Sequence, residues 1–229
     1  MSDQTPEDFS KEQEQAWERV VASLRQIIAH SVQLDAPLAV FEQLALDTAA
    51  LEARLAKVAG AKPIPLFTLP MTLSSLPYSP VAGRLNPLSP PVELTVQDGR
   101  VVARVTLGPA YEGALGFVHG GVLAMIWDEV LAFANIVQGL GGPTGELVVR
   151  YRAPSPLGKP LRFEAWHERR DGRRIVARGQ CHAGDVLVSE AEGIFVAFDQ
   201  QAPTRTAWGP HVQKAGTVPS RRPAGDPQP

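Results

Sequence analysis

Cysteine is nearly missing from this chain. Cys181 is the single thiol in 229 residues, so no disulfide can form within it. That suits a reducing compartment. Cys181 sits mid-run among small and branched residues and reads as a buried strand residue rather than a nucleophile. An excess of one charge is missing too. With 22 Lys and Arg against 24 Asp and Glu, the net charge of -2 gives no electrostatic case for nucleic acid or an anionic membrane as partner. No apolar run is long enough to span a bilayer: the longest, 121–137, is interrupted by Asp128 and Glu129. The first residues, Met1-Ser2-Asp3-Gln4-Thr5-Pro6-Glu7-Asp8, lack a basic stretch followed by an apolar one, so no secretory signal is expected and the protein reads as cytoplasmic. What remains is an ordinary globular composition, 44% hydrophobic and 20% charged, sized for one domain with additions or two small ones.

Four regions separate along the chain. Residues 1–62 are helical in pattern. Trp17, Val20, Val21, Leu24, Ile27 and Ile28 make one apolar stripe, and Phe41, Leu44, Thr48, Leu51, Leu55 and Val58 a second. Asp35-Ala36-Pro37 reads as the start of the second helix, with the acid as cap and proline in the first turn, and Gly60 as its stop. Such a pair packs on something. The plainer reading is a stabilising or dimer-supporting appendage; the other is a regulatory or partner-binding element. Residues 63–91 form a Pro-rich linker without regular structure, in which Leu85-Asn86-Pro87-Leu88 has apolar surface to bury. From about 200 to 229 the Pro, Gly, Arg and Thr content predicts a mostly disordered tail, with Trp208 its only large anchor and Arg221-Arg222 too small a basic cluster to signal nucleic acid.

Residues 92–199 carry the core. Period-two runs at 92–96 and 101–107 flank Asp98-Gly99, a strong hairpin turn. A helix over 119–137 follows, apolar on all faces, as expected for a helix wrapped by protein. Strand-like runs come next at 146–152, 161–167, 174–181 and 186–198, with Asp171-Gly172 and Gly184-Asp185 as tight turns. Two strands, one helix and four strands predict an α+β domain, a curved antiparallel sheet around one buried helix.

The chemistry concentrates at the start of that helix. His119-Gly120-Gly121 opens it, and glycines there leave backbone N–H groups exposed where the helix dipole favours negative charge. Asp128 lies further along, among Ala124, Met125, Leu131 and Ala132, and burial there would raise its pKa unless it is hydrogen-bonded. An amide donor and an acid are what acyl transfer or hydrolysis requires. Glu129 has equally apolar neighbours, and Gly121 is as open as Gly120, so helical geometry alone does not choose within either pair. His119 is as readily a structural residue as a positioning one. No second His, Cys or carboxylate stands near it at metal-ligand spacing, so neither a metal nor a cofactor is expected.

Strand order and motif together resemble the PaaI-type acyl-CoA thioesterases of the hotdog fold, over roughly residues 83 to 199. The pieces are Asn86-Pro87-Leu88-Ser89-Pro90-Pro91 before the first strand, His119-Gly120-Gly121 with Asp128 nine positions after the histidine, Thr144 sixteen after the acid, and Tyr151-Arg152-Ala153-Pro154 closing the next strand. The resemblance implies Asp128 as general base or nucleophile, the Gly120 amide as oxyanion donor, and Thr144 and His119 as further site residues. Gly121, the alternate donor, where a missing side chain allows close approach, and Asn86 in the lead-in are expected to contact substrate.

A spacing argument accompanies it. Gly120 and Asp128 are eight residues apart, ~12 Å along a helix at about 1.5 Å per residue. One carbonyl must lie about 3 Å from both donor and attacking group. The amide and acid serving one thioester therefore come from two chains, which makes the protein a homodimer or a dimer of dimers, as the resemblance also implies. Arg169, Arg170, Arg173 and Arg174 bracket one hairpin turn and Lys159 lies near the preceding one. They are either a solvated tip or a patch for the phosphates of coenzyme A. Met125, Trp127, Phe133 and Phe117 are the large side chains available to line an acyl pocket. The alternative reading is a non-catalytic acyl-CoA-binding regulatory protein with the 1–62 helices carrying the output.

Overall fold

The computed structural model describes residues 10–59 and 76–197. Gly60, residues 63–75 of the 63–91 proline run, Phe198, Trp208, Arg221-Arg222 and the tail lie outside the described residues.

Six strands form one antiparallel sheet: β1 (Glu93–Gln97), β2 (Arg100–Thr106), β3 (Thr144–Tyr151), β4 (Pro160–Asp171), β5 (Arg174–Ala183) and β6 (Val186–Val196), in the order β1-β2-β4-β5-β6-β3. The β1–β2 hairpin closes through Asp98 and Gly99, both at positive φ, where Asp and Gly are the tolerant residues. Of the three helices α1 (Lys11–Ser31), α2 (Leu38–Val58) and α3 (Gly120–Ile136), only α3 packs on the sheet, and it touches β2, β4, β5, β6 and β3. Five neighbouring strands are ~19 Å wide at about 4.8 Å each, whereas a helix with its side chains is ~10–12 Å across. The sheet must curl to meet the helix from all five, which is the hotdog arrangement expected from the sequence.

The core lies between α3 and the concave sheet face. Leu123, Ile126, Trp127, Val130, Leu131 and Phe133 from α3 meet Val101, Ala103, Leu161, Phe163, Ile175 and Phe195. Trp127 and Phe133 are therefore core residues, not pocket lining: Trp127 stacks edge-on against Phe163, centroids 4.9 Å apart, and donates to Ser189 Oγ at 3.0 Å. Glycine at 179 is required here, because a Cβ would lie 2.5 Å from the Trp127 ring and 2.6 Å from the Glu164 carbonyl oxygen. Cys181 is buried as expected, and burial pushes its thiol up to about 12 against a weaker opposing bond from Ser189.

Residues 76–91 hold no helix or strand, yet they are part of the domain, with Val81, Leu85 and Ser89 buried. Helix α1 clasps this segment. Trp17 Nε1 donates to the Leu85 carbonyl at 3.0 Å, Arg25 Nη2 donates to the Gly83 and Asn86 carbonyls at 2.9 Å, and Arg84 pairs with Glu14 and Glu18. A capping box between Ser10 and Gln13 starts the helix. At the start of α2 the structure corrects the sequence: Pro37 itself is the cap residue and Asp35 makes no cap bond. Proline at this position has no N–H to orphan, and its carbonyl accepts from Val40 and Phe41. None of the described helices is long and apolar enough to cross a membrane.

Candidate active site

His119 is the cap residue of α3. Its Nδ1 accepts from the Gly121 amide at 2.9 Å, and its own amide is tied back to the Tyr111 carbonyl. Two consequences follow for the glycines. The Gly121 amide is spent on the cap, so absence of a side chain is all Gly121 offers a substrate. The Gly120 N–H has no acceptor among the described residues, while the Gly120 carbonyl accepts from Tyr151 Oη at 2.7 Å. Of the two amides, Gly120 presents the open one, held by a tyrosine at the far end of β3.

The near end of β3 meets the acid. Thr144 Oγ1 donates to Asp128 Oδ1 at 2.7 Å. Local sequence explains why Thr144 stands there. Residues 141–143 run so close to β6 that a Cβ on Gly142 would lie 1.9 Å from the Val196 carbonyl oxygen, and the Pro143 carbonyl accepts from the Val196 amide. A register irregularity between Thr144 and Glu146 then sets the strand's first residue. Asp128 itself is half-buried.

Structure separates the two acids that helical geometry could not. Glu129 turns the other way and accepts from Ser79 Oγ at 2.6 Å; that hydroxyl in turn accepts from the Val81 and Ala82 amides. Burial raises the Glu129 carboxyl above its ordinary range, the charge of Asp128 raises it further, and the Ser79 bond opposes both. Ser79 and Tyr151 were not legible as site neighbours. A serine in a Pro-rich run carries no signal, and Tyr151 stood only as part of a strand end.

Other expected residues fall at varying distances from this centre. Asn86 is spent within its own segment, donating to the Tyr78 carbonyl and accepting from the Leu88 amide, each at 2.9 Å. Arg169 pairs with Asp171 at 2.9 Å, and Arg173 reaches the Ala197 carbonyl at 3.4 Å. Arg174 pairs in register with Val196, and Thr144 with Phe195 one residue away on the same strand, so the arginine hairpin tip shares a sheet end with Thr144. Lys159 does not belong to that cluster. It precedes β4 at the opposite end, ~36 Å of strand away at about 3.3 Å per residue. Phe117 and Leu115 are exposed in the loop before His119, and Met125 is half-buried. Among the described residues no three His, Cys, Asp or Glu side chains gather as a metal site.

A curled sheet around one helix, with an open amide at the helix start and a threonine-held acid farther along, defines a hotdog-fold protein. The thioesterase superfamily model matches residues 115–190, the span that holds the helix start, Asp128 and Thr144. A solved thioesterase superfamily protein is 32% identical, superposes with a TM-score of 0.70, and is matched over 79% of this chain and 94% of its own. The chain belongs to the thioesterase superfamily. It is also similar to the acyl-coenzyme A thioesterase THEM4 of Xenopus laevis, 31% identical over 99 residues, and of Mus musculus, 28% identical over 106. Those matches cover 42% and 45% of this chain, and the chain spans 45% and 46% of those relatives, about half their length.

Proposed function

We propose that the protein hydrolyses acyl-coenzyme A thioesters to a free acid and coenzyme A, at sites shared between two copies of the chain. The Thr144–Asp128 hydrogen bond of 2.7 Å carries this reading. It fixes one carboxylate oxygen, while Oδ2 has no hydrogen-bond partner among the described residues. As general base, Oδ2 takes a proton from water and the hydroxide adds to the thioester carbonyl. The oxyanion formed there accepts from the Gly120 N–H, a contact worth about 3–4 kcal/mol in such sites. Collapse breaks the C–S bond, and the thiolate of coenzyme A leaves and takes up a proton. As nucleophile, the same oxygen would form a mixed anhydride that water then opens. Water is the only co-reactant in either route.

Two copies are needed because α3 is a single unbroken helix and keeps its own amide and acid ~12 Å apart. The sheet suggests how they meet. β3 is an edge strand, paired with β6 on one side only, and it runs from Thr144 beside Asp128 to Tyr151 beside Gly120. Antiparallel pairing of two such edges sets the Thr144 end of one copy opposite the Tyr151 end of the other, so each acid faces the other copy's amide. His119 acts by capping, Gly121 by leaving room, and Asn86 by holding the 78–88 turn beside the substrate. Arg169, Arg173 and Arg174 share the Thr144 end of the sheet, which supports a role for them in meeting coenzyme A phosphates. A cytoplasmic location accompanies this reading, supported by the single buried thiol.

The test is thiol release over short, medium, long and aryl coenzyme A thioesters, with Asp128→Ala as control. Release by the wild type and its loss in the variant is the expected result. Full turnover in Asp128→Ala would remove the acid from the mechanism. An absence of release across the panel, with a ligand-dependent change of oligomeric state, would favour the binding module instead.

A further inference from the structure

Helix α2 buries no residue and joins none of the packed element pairs of the domain. Its apolar stripe is Phe41, Leu44, Thr48, Leu51, Leu55 and Val58, with Val58 81% exposed. The spacings run three, four, three, four, three. That is a heptad seam, with Phe41, Thr48 and Leu55 at a and Leu44, Leu51 and Val58 at d, flanked at its N-terminal end by exposed Leu38 at e and Val40 at g. A seam of this kind fits one occupant, a second helix of the same repeat.

We propose that the α2 helices of two copies pair antiparallel as a short coiled coil. Flanking charges decide the direction. In the same register Asp47 and Arg54 occupy g, and Ala45 and Glu52 occupy e. Parallel pairing would set Asp47 against Glu52 of the other copy twice, acid against acid. Reversing one helix brings g opposite g and e opposite e, so Asp47 meets Arg54 twice and Glu52 meets only alanine. Among the described residues neither charge is committed to an ion pair: Asp47 accepts from Gln43 at 3.0 Å, and Arg54 has no carboxylate partner. The layers then close as Phe41 on Val58, Leu44 on Leu55 and Thr48 on Leu51, symmetric about the middle of the helix. Thr48 can be buried there because its hydroxyl already donates to the Leu44 carbonyl at 2.7 Å.

Three heptad layers are short, so covalent trapping is the suitable readout. Phe41 and Val58 are exposed and ~26 Å apart on one helix at about 1.5 Å per residue, too far to join within a chain. In the full-length protein under mild oxidation, Phe41→Cys/Val58→Cys should give an interchain disulfide while neither single variant does. In that background Asp47→Arg should cut the cross-linked fraction several-fold, and adding Arg54→Asp should restore it. No cross-link in the double variant refutes pairing of the chain with itself and gives the seam to another occupant. A cross-link in either single variant refutes the antiparallel direction. Thiol release by the same variants reports on the catalytic reading separately, because none of these residues touches that site.

Discussion

Thr144 Oγ1 lies 2.7 Å from Asp128 Oδ1, joining the first residue of an edge strand to the middle of the buried helix. The bond orients a half-buried carboxylate, whose second oxygen is the base of the proposed mechanism. Losing the acid in Asp128→Ala should lower kcat about 10²–10⁴-fold, the usual worth of a positioned base. Losing only the orienting bond, in Thr144→Ala, should cost about 1.5–3 kcal/mol, roughly ten- to hundredfold. Thr144→Ser retains the hydroxyl and should stay near wild type. Steady-state thiol release on all three variants checks the order, and equal losses in Thr144→Ser and Thr144→Ala would remove the hydroxyl from the argument.

At the helix start, stability and activity should separate. His119→Ala removes the acceptor that caps Gly121, and a lost cap costs about 0.5–2 kcal/mol. His119→Asn, which offers a cap oxygen, should recover most of it. Tyr151→Phe removes an exposed hydrogen bond to the Gly120 carbonyl, so Tm should barely move. If that bond steadies the neighbouring Gly120 N–H, kcat should fall about two- to tenfold with KM unchanged. Melting curves beside kcat and KM for the three variants distinguish the roles. A change confined to KM in Tyr151→Phe would make it a substrate contact instead.

The Ser79–Glu129 contact makes a prediction about pH. Burial, then the Asp128 charge, raises the Glu129 carboxyl above its ordinary 4.5. The native state therefore holds this proton more tightly than the unfolded chain does. Its stabilising contribution is fully present below pH 4.5 and is lost as pH rises through the native value above it. Glu129→Gln mimics the protonated acid, keeps an oxygen for Ser79 and does not titrate. Relative to that variant, the wild type should lose stability as pH rises from about 4 to about 8. Urea midpoints across the range test it, and a constant offset between the two curves would contradict the assignment.

These tests fall on residues that were unequally legible in the sequence. Asp98-Gly99, the period-two runs and the apolar 120–136 stretch declared the hairpin, the strands and the central helix because each is a local signal. Asp128, Gly120 and Thr144 stood out through spacing and family resemblance together. Helical geometry alone left Asp128 level with Glu129 and Gly120 level with Gly121. Only the hydrogen bonds of the folded chain broke those ties: Thr144 and Ser79 for the acids, the neighbouring His119 and the distant Tyr151 for the amides. The same limit explains Trp127 and Phe133, which a helical wheel offers equally to a pocket or a core. It explains residues 76–91 as well, where prolines exclude regular structure without excluding burial.

Trp127 precedes the acid in sequence, and its seat sets the rotation of α3 on the sheet. The ring is fully buried, edge-on to Phe163, with its N–H on Ser189, and it lies over Gly179. In Gly179→Ala the new Cβ would stand 2.5 Å from the ring and 2.6 Å from the Glu164 carbonyl oxygen. Neither neighbour is a flexible side-chain end, so the helix must shift off the strand. Such overpacking costs about 1–3 kcal/mol. Ser189→Ala should cost a similar amount, about 1–3 kcal/mol, by leaving the indole N–H buried without an acceptor, yet it does not push the helix. The two variants should thus be matched in Tm loss and unmatched in activity. Gly179→Ala displaces Asp128 from Thr144 and lowers kcat well below the melting transition, whereas Ser189→Ala keeps kcat near wild type. Equal kcat in both would mean that the acid's position does not depend on how Trp127 is seated.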